Sequence, residues 1–252
     1  MRYSRQEIIK FIGKNGQKKI RKTKALVIGA GGTGSYTIMS LAMLGFGRIH
    51  VIDDDKIEIT NLNRQALYNE DDLGSYKAET IFKRIKKINS LVNISYETSR
   101  FDSSNYEIVK DFDIVFDCTD NITTRMIIND ACDKFRIPWV FMAVSEFYGQ
   151  VKLINPGITA CFACYNRDPG EIPNCDVTGI VATTASIVSS LAVNTAVKFI
   201  LGNTDEDLLL IDSLNMSIEK IKINKNEKCR SCSLHDYKYL GRYYSNLKGI
   251  IP

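Results

Sequence analysis

Short apolar runs alternate with amphipathic stretches through the first 145 residues. Ala25-Leu26-Val27-Ile28, Ile49-His50-Val51-Ile52, Asp113-Ile114-Val115-Phe116-Asp117 and residues 138–143 have the length and continuity of strands buried on both faces. Between them lie helical patterns over 36–44, stopped by Gly45 and Gly47, over 77–89 and over 122–135. In the second of these Ile81, Ile85 and Ile88 share one side, and Lys83, Lys86 and Lys87 the other. The first twenty residues read as one amphipathic helix followed by a basic turn at 17–22, and 62–72 as polar loop with a short helix. This alternation predicts an α/β fold, a Rossmann-like open sheet with helices on both faces.

Beyond Gly149 the pattern changes. Gln150-Val151-Lys152-Leu153-Ile154 is a strand, 155–180 is irregular, 180–201 is a long apolar helix, and 208–211 with 217–223 alternate as an antiparallel pair whose apolar positions are Ile218, Ile221 and Ile223. The parallel N-terminal half is therefore expected to be extended by antiparallel strands. No Pro/Gly/Ser linker interrupts the chain, so 1–252 is read as one domain: a nucleotide-binding half 1–145, a second half 146–232, and a Tyr-rich tail 233–252 (Tyr237, Tyr239, Tyr243, Tyr244) expected to pack on the body. Residues 180–201 approach bilayer-spanning length, but Thr183, Thr184, Ser186, Ser189, Ser190, Asn194 and Lys198 mark a core helix, and no membrane role is expected.

Charge and cysteine content narrow the classes. With 33 Lys and Arg against 29 Asp and Glu, and no long run of like charge, there is no polybasic arm, and nucleic acid is not an expected partner. No apolar leader follows Met1, so a reducing cytoplasm is the expected setting, where paired cysteines suggest metal or chemistry before disulfides.

The loop Gly29-Ala30-Gly31-Gly32-Thr33-Gly34 joins a strand to a helix, the place where backbone N–H groups can meet phosphate; Gly29, Gly31, Gly32 and Gly34 are its candidate residues. Asp53, at the end of the next strand, is placed to grip ribose hydroxyls. Asp55, Asn61, Arg64 and Lys77 follow, and two cations beside a glycine loop suit a triphosphate better than a dinucleotide. Asp120, in Asp117-Cys118-Thr119-Asp120-Asn121, ends another parallel strand; it is read either as a Mg²⁺ ligand or as the N-cap of the next helix.

Cys161-x-x-Cys164 and Cys229-x-x-Cys232 are two knuckles able to close a four-thiolate structural Zn²⁺ site. Cys118 and Cys132 read as small buried hydrophobes. Cys175 precedes the long helix, whose N-terminus would favour a thiolate.

In one order the chain carries Arg2-Tyr3-Ser4-Arg5-Gln6, GAGGTGS at 29–35, IDDDKIEITNLNRQ at 52–65, Gly74-Ser75-Tyr76-Lys77-Ala78, DCTDN at 117–121 with Arg125, and Gly149-Gln150. Together they resemble the ubiquitin-activating enzyme superfamily in its small bacterial ThiF/MoeB/HesA adenylyltransferase branch. The resemblance implies activation, with ATP and Mg²⁺, of the C-terminal Gly-Gly carboxylate of a ubiquitin-like sulfur carrier as acyl-AMP, before thiocarboxylate formation. It implies Asp53 on the ATP ribose, Arg64 and Lys77 on the phosphates, and Asp120 assisting Mg²⁺ and the carrier tail. The second half would bind the carrier, and Arg5 would enter the ATP site of the neighbouring subunit in a homodimer. Relatives carry at the position of Cys175 a cysteine that can link covalently to the carrier or its sulfur donor, though not every relative uses it; catalytic use and simple inheritance both fit here. Sulfur transfer would need a separate donor protein. Three alternatives stand beside this reading: adenylation of a peptide or modified-tRNA carboxylate, an NAD-dependent oxidoreductase, and a non-catalytic zinc-stabilised module. Against the first, peptide modifiers usually add an N-terminal clamp domain and tRNA-acting relatives generally lack the four cysteines.

Overall fold

The computed structural model describes residues 2–166, 179–204 and 207–241; Cys175, Tyr243 and Tyr244 lie outside them. Eight strands form one sheet: β1 Lys24–Ile28, β2 Arg48–Ile52, β3 Asn93–Glu97, β4 Ile114–Asp117, β5 Trp139–Ser145, β6 Tyr148–Ile154, β7 Leu208–Asp212 and β8 Ser217–Ile221. Their order is β3-β2-β1-β4-β5-β6-β7-β8. The five strands from β3 to β5 are parallel, and β6 to β8 continue antiparallel, as the change of pattern at Gly149 predicts.

Helices α3 Gly32–Leu44, α4 Lys77–Ile88 and α6 Ala182–Ile200 cover one face, and α5 Ile122–Phe135 the other. Alternation along β1 feeds the two cores separately: Ala25 and Val27 join the first, Leu26 and Ile28 the second. Helix α6 is the one described helix long and apolar enough to cross a membrane; here it packs against α3, β5 and β6. Gly149 permits that packing, since a Cβ there would lie 2.1 Å from Val188 Cγ2.

Three expectations change. The N-terminal segment is two helices, α1 Ser4–Glu7 and α2 Gly13–Lys22, and the expected basic turn is the end of α2. Gly16, Gln17 and Ile20 face the body, while Lys18, Lys19, Arg21 and Lys22 stay in water, the cations suiting the negative end of the helix dipole. Strand β3 has no counterpart in the sequence reading, because Ile94 is its one buried position. Strand β8 is the outer edge, open on both faces, so Ile218 and Ile221 are 51% and 38% exposed and not core residues.

The tail packs as expected as far as residue 241: Tyr239 is buried and Tyr237 Oη donates to Asp133 at 3.0 Å.

Candidate active site

Register sets the site. Ile28 pairs with Ile52 and with Asp117, so β1, β2 and β4 end level at the reversal of strand order. The glycine loop, Asp53 and the 118–121 turn leave from this one edge, where ligands bind in open α/β sheets.

Two glycines are required by sterics. At Gly34 a Cβ would lie 2.2 Å from the Gly29 carbonyl oxygen, and at Gly29 (φ 93°) 2.5 Å from that of Cys118. The loop therefore closes tightly on the start of α3. Among the described residues no acceptor meets the N–H groups of Gly31, Gly32, Thr33 or Gly34. Four free amides at a helix N-terminus form a cradle for anionic oxygens.

Asp53 is buried, its Oδ2 accepting from Ala30 N–H at 2.7 Å and its Oδ1 from Asp55 N–H at 3.0 Å. Burial pushes its carboxyl up to about 6; the Ala30 N–H bond and the Lys77 charge oppose that shift. Lys77 opens α4, is buried, and puts Nζ 2.7 Å from Asp55 Oδ2. Asp55, Asn61 and Lys77 line a cleft of about 140 Å³ with Lys56 and Glu58. The Arg64 stem runs along the loop, with Cδ 3.7 Å from where a Gly32 Cβ would stand, and its Nη1 donates to Thr60 O at 2.9 Å and Asn63 Oδ1 at 3.0 Å.

Asp120 is exposed at this edge and makes no hydrogen bond or ion pair among the described residues. The N-cap reading for it is corrected: Asn121 is the cap, accepting from Thr124 N–H at 2.8 Å. The turn before it is held firmly. Asp117 Oδ1 accepts from Thr119 N and Oγ1 at 3.0 and 2.6 Å, and Arg125 Nη2 donates to the Thr119 carbonyl at 2.6 Å. Arg125 Nε also lies 3.3 Å from Asp117 Oδ2, a charge contact without hydrogen-bond alignment. Burial raises the Asp117 pKa, and Arg125 opposes it.

Arg5 is not brought to this site. Tyr3, two residues before it, sits against Gly45 at the far end of α3, about 20 Å from the glycine loop by helix rise over 13 residues.

The four paired cysteines meet on the α5 side of the sheet. Sγ separations are 3.8 Å for Cys161–Cys164, 3.6 Å for Cys161–Cys229 and 3.5 Å for Cys164–Cys232, and all four sulfurs lie within 4.8 Å of one another. A tetrahedral ion with metal–sulfur bonds of about 2.3 Å needs sulfurs ~3.8 Å apart, so the donor set fits. Two residues of α5 join the knuckles, a role the sequence reading missed. Asn129 Oδ1 accepts from Phe162 N–H at 2.9 Å while its Nδ2 donates to Ser231 Oγ at 2.8 Å. Asp130, fully buried, takes Arg230 through both oxygens at 3.1 and 3.2 Å, Ser231 Oγ at 2.8 Å and Tyr239 N–H at 3.2 Å. Cys118 and Cys132 are buried as expected, and burial pushes the Cys118 thiol up to about 12, which leaves it unreactive.

A family model described as the ThiF family matches residues 3–231. The chain belongs to the ThiF family. This ThiF-family chain is 34% identical over 243 residues to a sulfur carrier protein adenylyltransferase of Thermus thermophilus, covering 92% of the chain and 90% of the relative. It is also 34% identical to the sulfur carrier protein ThiS adenylyltransferase of Bacillus subtilis, covering 95% and 73%. Among solved structures it resembles Escherichia coli MccB with ATP, at a TM-score of 0.81 and 26% identity, covering 92% of this chain and 74% of that one. Family membership sets aside the oxidoreductase reading.

Proposed function

We propose that this ThiF-family adenylyltransferase transfers AMP from ATP to the C-terminal carboxylate of a small ubiquitin-like sulfur carrier ending in Gly-Gly. The observation that carries the reading is the row of unpaired amides from Gly31 to Gly34, flanked by Asp53, Arg64 and Lys77 at one sheet edge. Donors of this kind in fixed positions stabilise charge without reorganising during reaction.

The chemistry needs little more than placement. The carrier's carboxylate is ionised at neutral pH, so no general base is required. Its oxygen attacks the α-phosphorus in line, a C–O–P linkage forms, the bond from the α-phosphorus to the bridging oxygen breaks, and pyrophosphate leaves with that oxygen. Asp53 would hold the ribose; Arg64, Lys77 and Asn61 would hold the phosphates. Asp120 would ligate Mg²⁺, which when bound neutralises phosphate charge. Thiol clustering supports structural Zn²⁺ at Cys161, Cys164, Cys229 and Cys232, with no open position for catalysis.

The working unit proposed is a homodimer with Arg5 supplied in trans, supported by the distance of Arg5 from its own glycine loop and by the exposed Ile8, Ile9, Phe11 and Met43 nearby. The second half, 146–232, would receive the carrier in a cytoplasmic setting, and a separate protein would donate sulfur. Whether Cys175 acts covalently is tested by Cys175→Ala: full thiocarboxylation of the carrier by this variant makes that thiol dispensable. The shared fold with MccB favours, as a second reading, the same chemistry on another polypeptide carboxylate.

The test is ATP–pyrophosphate exchange with Mg-ATP and candidate Gly-Gly proteins, followed by mass measurement of the AMP adduct. Exchange that depends on a Gly-Gly terminus supports the reading, and its absence with every carrier of the source genome overturns it.

A further inference from the structure

Tyr68 has no place in the roles assigned above, yet its hydroxyl reaches the glycine loop. Its Oη donates to the Ala30 carbonyl at 2.7 Å, while the Ala30 N–H donates to Asp53 Oδ2 at 2.7 Å. Ala30, the second residue of the loop, is therefore held at both of its peptide groups, by two side chains from different segments.

The Ala30–Gly31 peptide is trans, so its C=O and N–H point in opposite directions within one plane. Fixing the carbonyl on Tyr68 fixes the Gly31 N–H on the other side, and that N–H is the first of the four amides without an acceptor. A hydrogen bond to the carbonyl also polarises the peptide and strengthens its N–H as a donor. Tyr68 can hold this position because its ring is buried in the first core, only 8% exposed. Burial, with Asp53, Asp55 and Asp72 nearby, raises its pKa well above 10, so the hydroxyl keeps its proton. From the same turn as Tyr68, whose N–H donates to the Gln65 carbonyl, Gln65 is buried with Nε2 3.7 Å from where a Gly31 Cβ would stand, and its Oε1 lacks a donor among the described residues. Gly31 thus follows a clamped carbonyl and has an unsatisfied amide side chain beside it.

We propose that Tyr68 is a positioning residue for the nucleotide's phosphate groups, acting through the Ala30–Gly31 peptide. The inference rests on the nucleotide reading of the loop. It assigns Tyr68 to the phosphates specifically, leaving recognition of the nucleoside to Asp53 and its surroundings.

The test compares ATP with adenosine, by calorimetric titration of the full chain and of Tyr68→Phe. The variant keeps the ring and deletes the one hydroxyl. ATP affinity is expected to fall about five- to tenfold, the loss of one well-made hydrogen bond. Adenosine affinity is expected to stay within about twofold, and the KM for ATP in pyrophosphate exchange to rise by the same factor as the ATP dissociation constant. The ratio of the two affinities is unaffected by any fraction of the variant that fails to fold. A merely structural hydroxyl would change both ligands alike or neither, and either result overturns the proposal. A wild-type chain that binds adenosine and ATP equally, or neither, overturns the nucleotide reading itself, an outcome distinct from a wild type that prefers ATP and a variant that keeps the preference.

Discussion

Lys77 Nζ lies 2.7 Å from Asp55 Oδ2, yet the two side chains differ sharply in setting, 6% against 65% exposed. The cation is fixed by its surroundings at the head of α4, whereas the carboxylate holds it from solvent. In the proposed site, a phosphate oxygen entering the cleft would replace Asp55 without moving Lys77. Removing Lys77 takes away a preplaced charge, so Lys77→Ala is expected to lower pyrophosphate exchange more than a hundredfold. Asp55→Ala is expected to cost less than about tenfold, because the pair is half in water and screened. Equal losses from the two substitutions, read in the same exchange assay, would show that Lys77 depends on Asp55 for its position.

Arg5 and the glycine loop occupy opposite ends of α3. Arg5→Ala and Asp120→Ala are each expected to be inactive alone. Mixed in equal amounts and allowed to exchange subunits, they should recover about a quarter of wild-type activity, since half the dimers regain one of two sites. No recovery after verified exchange would place Arg5 outside the partner's site.

Asp53 sets a pH dependence of defined sign. Its carboxyl is raised from 3.8 to about 6 by burial, so between those values the folded chain holds the extra proton. Stability contributed through this group is therefore greater below pH 4 and falls as pH rises through 6. With the proposed ribose contact at Asp53, nucleotide binding is expected to run the other way, because ribose hydroxyls donate best to the ionised carboxylate. From pH 7 to 5 the KM for ATP is expected to rise about tenfold, following the ionised fraction. Asp53→Asn should bind ATP weakly at both pH values, with the slope gone; an unchanged slope in the variant would assign the titration elsewhere.

Asp130 is the tie between α5 and the second knuckle. Asp130→Ala removes the buried carboxylate that pairs with Arg230 and accepts from Ser231 Oγ and the Tyr239 N–H. A loss of about 3 kcal/mol is expected, a fall in thermal midpoint of roughly 6–12 °C for a chain of this size. Metal content by mass spectrometry should fall with it, and Cys229→Ala should reduce both further. Unchanged metal stoichiometry in Cys229→Ala would refute the four-thiolate site.

Much of this was legible from local pattern. Apolar runs ending in Gly29, Asp53 and Asp117 located three strand ends, and the parallel reading brought them to one edge, as the register of Ile28 with Ile52 and Asp117 bears out. The cysteine spacing likewise reported a cluster that the fold assembles. What escaped has partners remote in sequence. Tyr68 sits in an irregular loop and meets Ala30 across 38 residues; Asn129 and Asp130 meet Ser231 across about a hundred. No periodicity marks such residues. Strand β3 and the division between α1 and α2 were missed for a different reason: each buries too few apolar positions for hydrophobic spacing to be read.

The two halves of the thiol cluster are made at very different times. When Cys161 and Cys164 leave the ribosome, the glycine loop and strands β1 to β6 have been synthesised, but Cys229 and Cys232 have not. The nascent chain therefore carries a two-thiol half-site until residues 229–232 are made, and by then α5, whose Asn129 and Asp130 tie the two knuckles together, has long been synthesised.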